Sequence, residues 1–149
     1  MLKKSTRSTK AIRIQFGAIP YRVSDAGDLE ILLVTTRTTG RWMIPKGWPI
    51  EGLTGPQSAK QEAFEEAGVR GAISDDAIGS FTYLKLLDDM SLAVPCKVTV
   101  FPMLVKKQFK IWPEKSQRKR KWFEARLAMT LVSDLKLGRL ILKLYRSLT

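Results

Sequence analysis

Glu62, Glu65 and Glu66 stand at i, i+3 and i+4 within the stretch that runs from Gly47 to Val69. On a helix that spacing gathers all three carboxylates on one face. Like charges so placed repel, at a cost of roughly a few tenths of a kcal/mol per pair. A cluster of carboxylate oxygens suits a hard divalent cation, Mg²⁺ or Mn²⁺. A generic Glu-rich helix would read as a solvated acidic face. What distinguishes this one is the segment around it.

The ends of that helix are readable. Gly55 is expected as N-cap and Pro56 as the first helical residue, where a missing N–H is harmless. Gly68 follows the last turn, where a left-handed residue closes a helix. Ala59, Ala63 and Ala67 recur every fourth residue and let the helix lie close to a sheet. Upstream, Trp42-Met43-Ile44-Pro45-Lys46-Gly47-Trp48-Pro49 reads as a short strand entering a turn-rich loop. The order is strand, glycine-containing loop, acidic helix. A loop of that kind can offer a backbone carbonyl to an ion held by the helix.

This segment resembles the signature of the Nudix hydrolases, Gly-x5-Glu-x7-Arg-Glu-aliphatic-x-Glu-Glu-x-Gly-aliphatic. Gly47, Glu62, Glu65, Glu66, Gly68 and Val69 fall on its positions without a gap. Two positions depart: the first Glu of the signature is Leu53 and its Arg is Gln61. In the family these two side chains can pair, so their joint loss leaves neither charge uncompensated. Glu51, two residues from Leu53, is the nearest carboxylate to stand in. The resemblance implies an α/β/α sandwich around a mixed sheet. It also implies hydrolysis of a phosphoanhydride with Mg²⁺ or Mn²⁺ held by Glu62, Glu65, Glu66 and the Lys46 carbonyl. The pair matching Glu65 and Glu66 includes the ligand nearest the attacking water, which makes Glu66 a ligand and Glu65 a ligand or base.

Composition narrows the chemistry. The chain has 149 residues, enough for one domain with a real core. It contains no histidine, which removes the usual general base, His-based triads and ordinary zinc sites. Cys96 is the single cysteine, so no internal disulfide can form, and a reducing cytoplasm fits; its apolar surroundings mark it as a core residue. No apolar run approaches the roughly 20 residues of a membrane helix. The net charge is +12, which calls for a polyanionic partner. Part of that charge lies in residues 1–10, read as a disordered basic arm preceding a single domain over 11–149. Another part lies in Lys106, Lys107, Lys110, Lys115, Arg118, Lys119, Arg120 and Lys121.

Along the chain, residues 12–23 and 29–36 are β-branched apolar runs joined by Ser24-Asp25-Ala26-Gly27-Asp28, a strand–turn–strand signal. Short strands are expected at 70–73 and 122–123. Long ones are expected at 79–87 and 94–109, separated by Asp88-Asp89-Met90-Ser91. Residues 125–132 and 135–148 have helical periodicity, with Leu137, Leu140, Ile141 and Leu144 on one face and Asp134 as cap. Strands flanking one helix, with two helices last, predict a mixed sheet between helices.

The segments Arg41 to Gly47 and Arg118 to Phe123 are similar to those of the diphosphoinositol polyphosphate phosphohydrolases, a branch that also cleaves diadenosine polyphosphates. That similarity points to Arg13, Arg37, Lys46 and Arg118 as phosphate-binding residues. An arginine fork suits phosphate better than a lysine point charge. Arg118 and Arg120, two apart on an extended segment, face opposite ways, and the family pattern favours Arg118. Asp88, Asp89 or Glu114 would supply a further carboxylate. Trp42, Trp112 and Trp122 offer faces on which a base can stack, although packing is the better reading of Trp42 and Trp122. Rival readings are a non-catalytic module that binds polyphosphate or RNA, and a hydrolase that removes RNA caps. The expected partner is a small polyphosphate, with nucleic acid less favoured and no membrane, for a monomer or homodimer.

Overall fold

A computed structural model describes residues 11–86 and 92–149. The basic arm expected over 1–10 and the turn at Asp88-Asp89-Met90-Ser91 lie outside the described residues. The first strand, β1 (Arg13–Val23), turns into β2 (Leu29–Thr35) through the Ser24–Asp28 loop. There the Ser24 N–H donates to the Asp28 carbonyl at 2.8 Å, and Gly27 takes φ 87°. Two short strands follow, β3 (Trp42–Met43) and β4 (Lys46–Gly47), then helix α1 (Gly55–Ala67). The remaining elements are β5 (Val69–Ile73), β6 (Gly79–Leu86), β7 (Ala93–Gln108), β8 (Arg120–Glu124), α2 (Ala125–Leu131) and α3 (Leu135–Leu148).

All eight strands join one mixed sheet. β1 and β7 run parallel, in register from Arg13↔Cys96 to Tyr21↔Leu104, and the other pairings are antiparallel. On its other edge β1 is shared. Phe16 and Gly17 pair with β4, whereas Tyr21 to Val23 pair with β2. β7 likewise divides its free edge between β6 and β5. The strands therefore part, and the cleft described below opens among them.

Helices cover both faces. Ala59, Ala63 and Ala67 of α1 are wholly buried against Ala18, Leu32, Val34 and Met103. On the opposite face Leu137, Leu140, Ile141 and Leu144 of α3 join Ala125 and Ala128 of α2 over Ile19, Ile31, Phe81 and Val100. Asp134 caps α3, its carboxylate accepting from the Leu137 N–H at 3.0 Å. Cys96 is buried in the sheet.

The start of α1 differs from expectation by one residue. Thr54 is the N-cap: its hydroxyl accepts from the Gln57 N–H at 3.3 Å, and the Gln57 side chain accepts from the Thr54 N–H at 2.9 Å. This reciprocal box satisfies two end groups that a glycine cap would leave to solvent. Gly55 contributes closeness instead, since a Cβ there would lie 2.8 Å from the Phe16 ring. Gly68 closes the helix at φ 67°, as expected.

Candidate active site

Where the strands part lies a cleft of about 670 Å³, with Glu62, Glu65, Glu66 and Lys46 in its lining. Gln15, Arg37, Tyr83, Glu114 and Arg118 line it too. The capped helix α1, held against the sheet by its alanine face, aims the glutamates at the β4 loop. That approach is close. A Cβ on Gly47 would fall 2.4 Å from the Glu62 carboxyl carbon, so any larger residue would push the Glu62 side chain from its place.

Glu66 is the buried member of the trio. Its carboxylate accepts from the Lys46 N–H at 3.3 Å and meets the Arg118 guanidinium at 3.3 Å. Burial raises its pKa to about 7, against the pull of the Arg118 and Lys46 charges. Burial raises Glu62 to about 8, with repulsion from Glu66 and Glu65 adding to it. Glu65 is oriented by Gln61, whose amide donates to it at 2.8 Å. The residue standing where the signature has Arg therefore still positions a glutamate. Leu53 and Glu51 are exposed and outside the cleft, so Glu51 does not replace the missing first carboxylate.

The far wall is stapled onto the last turn of α1. The Phe109 N–H donates to the Gly68 carbonyl at 2.8 Å, the Glu114 N–H to the Glu65 carbonyl at 3.0 Å, and the Trp112 indole to the Glu66 carbonyl at 3.0 Å. These bonds satisfy carbonyls that a helix end leaves open. They also deliver Glu114 and Arg118 to the glutamates. Arg118 pairs with Glu114 at 2.7 Å and donates to the Thr35 carbonyl at 3.0 Å. Arg120 faces the other way, donating to the Ala67 and Phe109 carbonyls at 2.9 and 2.6 Å, with its guanidinium 3.7 Å from the Trp112 ring centroid. Trp112 is thus a wedge of the scaffold. Trp42 packs edge-on to Phe123, and Trp122 lies under Arg22.

Lys46 Nζ donates to the Tyr83 hydroxyl at 2.9 Å, and that hydroxyl donates to Gln15 at 2.7 Å. Burial lowers the Lys46 pKa to about 8, opposed by the Glu66 charge, and burial raises that of Tyr83. Gln15 and Tyr83 were not among the residues singled out from sequence. Gln15 is the lone amide in an apolar strand, a visible signal. Tyr83 follows the core residue Phe81 by two on β6 and so shares its face. Arg13 is not brought in: it is exposed at the start of β1 and lines no part of the cleft. Gln15, two residues further along the strand, reaches the cleft instead. Arg37 lies at the rim, bonded to Gln117 at 3.0 Å.

Among the described residues, no three Asp, Glu, Cys or His side chains are grouped closely enough to hold an ion as they stand. Arg118 supplies the counter-charge at Glu66. The donor chemistry nevertheless fits a hard cation. The donors are oxygen, and burial together with neighbouring carboxylates holds Glu62 and Glu66 well above the usual carboxylate range, a penalty on their charged forms that a bound cation would offset.

Comparison with known proteins decides the family. The chain is 32% identical over 135 residues to Nudix hydrolase 17, mitochondrial, of Arabidopsis thaliana, covering 86% of this chain and 71% of that protein. The chain belongs to the Nudix hydrolase family. Nudix hydrolase 21, chloroplastic, of the same plant is 34% identical over 131 residues, which cover 85% of this chain and 63% of the relative. With Nudix hydrolase 13, mitochondrial, at 66%, the chain spans just under two thirds of the length of two such relatives. No protein-family model matches the chain.

Solved structures agree on the fold. The Nudix domain of Shewanella oneidensis NrtR complexed with ADP ribose superposes with a TM-score of 0.70 at 17% identity, covering 96% of this chain and 92% of that one. The C. elegans Ap4A hydrolase superposes at 0.67 and 22% identity, covering 93% and 100%. The chain has the Nudix α/β/α sandwich. No helix among the described residues is long and apolar enough to cross a membrane.

Proposed function

We propose that residues 11–149 form one Nudix hydrolase domain. It cleaves a phosphoanhydride in a highly phosphorylated small molecule, either a diphosphoinositol polyphosphate or a diadenosine polyphosphate. The observation that carries this reading is the convergence of Glu62, Glu65, Glu66 and Glu114 with Lys46, Arg37 and Arg118 around one cleft, in a chain of this family. Water adds to phosphorus, the bridging oxygen leaves with its electron pair, and the proton of the water passes to a carboxylate. Glu65, which Gln61 orients, is the group assigned to accept it. Glu62, Glu66 and the Lys46 carbonyl, with Glu65, are the residues that would hold Mg²⁺ or Mn²⁺. When bound, such an ion neutralises phosphate charge and lowers the pKa of water. Lys46 and Arg118 bind phosphate oxygens, and Tyr83 with Gln15 fixes the direction of the ammonium. The lone buried Cys96 agrees with a reducing compartment, read as the cytoplasm.

One observation favours a second reading. Arg118 lies between Glu66 and Glu114, as it would in a module that binds polyphosphate without cleaving it. The experiment is a substrate panel with Mg²⁺: inositol pyrophosphates, diadenosine penta- and hexaphosphate, nucleoside triphosphates, nucleotide sugars and capped RNA. Preferred hydrolysis of the first two classes supports the proposal. Preference for capped RNA, or binding with no product from any of them, refutes it.

A further inference from the structure

Beyond Arg118 the cleft continues into a second groove of about 560 Å³, lined by Arg37, Lys115, Arg118 and Lys119 with the hydroxyls of Thr36 and Ser116. The two hollows share Thr36, Arg37 and Arg118 as a common wall. Among the described residues, no carboxylate lines the second one. Arg118 is paired with Glu66 and Glu114 of the first cleft, but Arg37 is held by the neutral Gln117 amide and Lys115 by the Lys110 carbonyl at 2.7 Å. Neither these two nor Lys119 enters any of the ion pairs seen among the described residues. The floor is rigid. The Thr35 N–H donates to the Lys119 carbonyl at 3.0 Å, the Lys119 N–H to the Thr35 hydroxyl at 2.9 Å, and Arg118 to the Thr35 carbonyl.

A fixed, acid-free groove with several uncompensated cations is built for an anion. Because it opens from the catalytic cleft past Arg118, that anion is continuous with whatever lies over the glutamates. We propose that the groove is a second subsite, which takes the distal phosphates of a linear polyphosphate chain whose near end occupies the glutamate cleft. The direction of the chain rests on the hydrolase reading above. Each phosphate places its charge on oxygens spaced along a flexible chain, so chain length is what this groove would sense. Short diphosphates would not reach it.

The test compares wild type with the Lys115→Ala/Lys119→Ala double variant, two exposed positions outside the glutamate cleft. Binding of sodium tripolyphosphate and of a longer linear polyphosphate of defined length is measured by calorimetry at fixed salt. Hydrolysis of diadenosine pentaphosphate is followed in parallel. The longer chain should bind wild type more tightly, and the double variant should lose roughly 10-fold or more of that affinity. Tripolyphosphate should bind both proteins alike. Equal affinity of wild type for both lengths, or equal losses for both, overturns the subsite. So does polyuridylate that binds more tightly than polyphosphate and loses the same factor, because the groove then belongs to nucleic acid. Length-dependent binding without any hydrolysis supports the subsite while refuting the catalytic reading. Hydrolysis with length-independent binding does the reverse.

Discussion

Replacing Arg118 with alanine should make the stability of the metal-free protein depend on pH in a way the wild type does not. The side chains of Arg118 and Glu66 are only 10% and 9% exposed, so the variant leaves a buried carboxylate without its guanidinium. Removing one partner of a buried pair usually costs about 3–5 kcal/mol, because the other charge is stranded. Glu66 has an escape, since with a pKa of about 7 it is already largely neutral at pH 6. At pH 6 the variant should lose chiefly the bonds to Thr35 and Glu114, about 1–3 kcal/mol. Above pH 7 wild-type Glu66 ionises against Arg118, whereas in the variant it stays protonated. The gap then widens by about 1.4 kcal/mol for each pH unit until the variant carboxyl also ionises. Between pH 6 and pH 8 the difference in Tm should therefore grow by roughly 3–6 °C for a chain of this size. Thermal melts in chelator at several pH values measure it. A gap that stays constant across that range would refute the assignment of Glu66 as the titrating partner of Arg118.

Glu66→Gln should lower turnover on the order of 100-fold or more while retaining metal-free stability, since Arg118 keeps Glu114 and Thr35; single-turnover kinetics and melts check both. In the wild type without metal, stability should fall as pH rises from about 4.5 to about 8. Folded Glu62 and Glu66 hold protons that the unfolded chain has released, and Glu62→Gln should flatten the profile in denaturant titrations. Gly47→Ala should cost about 1–3 kcal/mol and most of the activity by driving Glu62 aside, and a variant as active as wild type would show that the loop yields.

The parts of this molecule legible in the sequence are those governed by local pattern. The i, i+3, i+4 glutamates, the left-handed Gly68, the Asp134 cap and the buried face of α3 each follow from spacing within one element. The α1 cap was misplaced by one residue because Pro56 tolerates either of the first two helical positions, and only the reciprocal Thr54–Gln57 bonds choose between them. Contacts between distant segments were less visible. The similarity of Arg118 to Phe123 to a known branch pointed to Arg118, yet its pairing with Glu66 depends on residues 109–119 being bonded to the end of α1. Tyr83 reaches Lys46 only because β6 and β4 meet across β7 and β1. Arg13 was expected at the site on similarity alone, but the sheet register leaves it beyond the mouth and puts Gln15 inside.

The most direct test of the central claim is release of the two adenosine nucleotide products from diadenosine pentaphosphate by the wild type and by Glu66→Gln, each in Mg²⁺ and in excess chelator. Release by wild type in Mg²⁺, with its loss both in chelator and in the variant, is the predicted result. Undiminished release in chelator, or equal release by the variant, would contradict the assignment of these glutamates to a metal-dependent hydrolase.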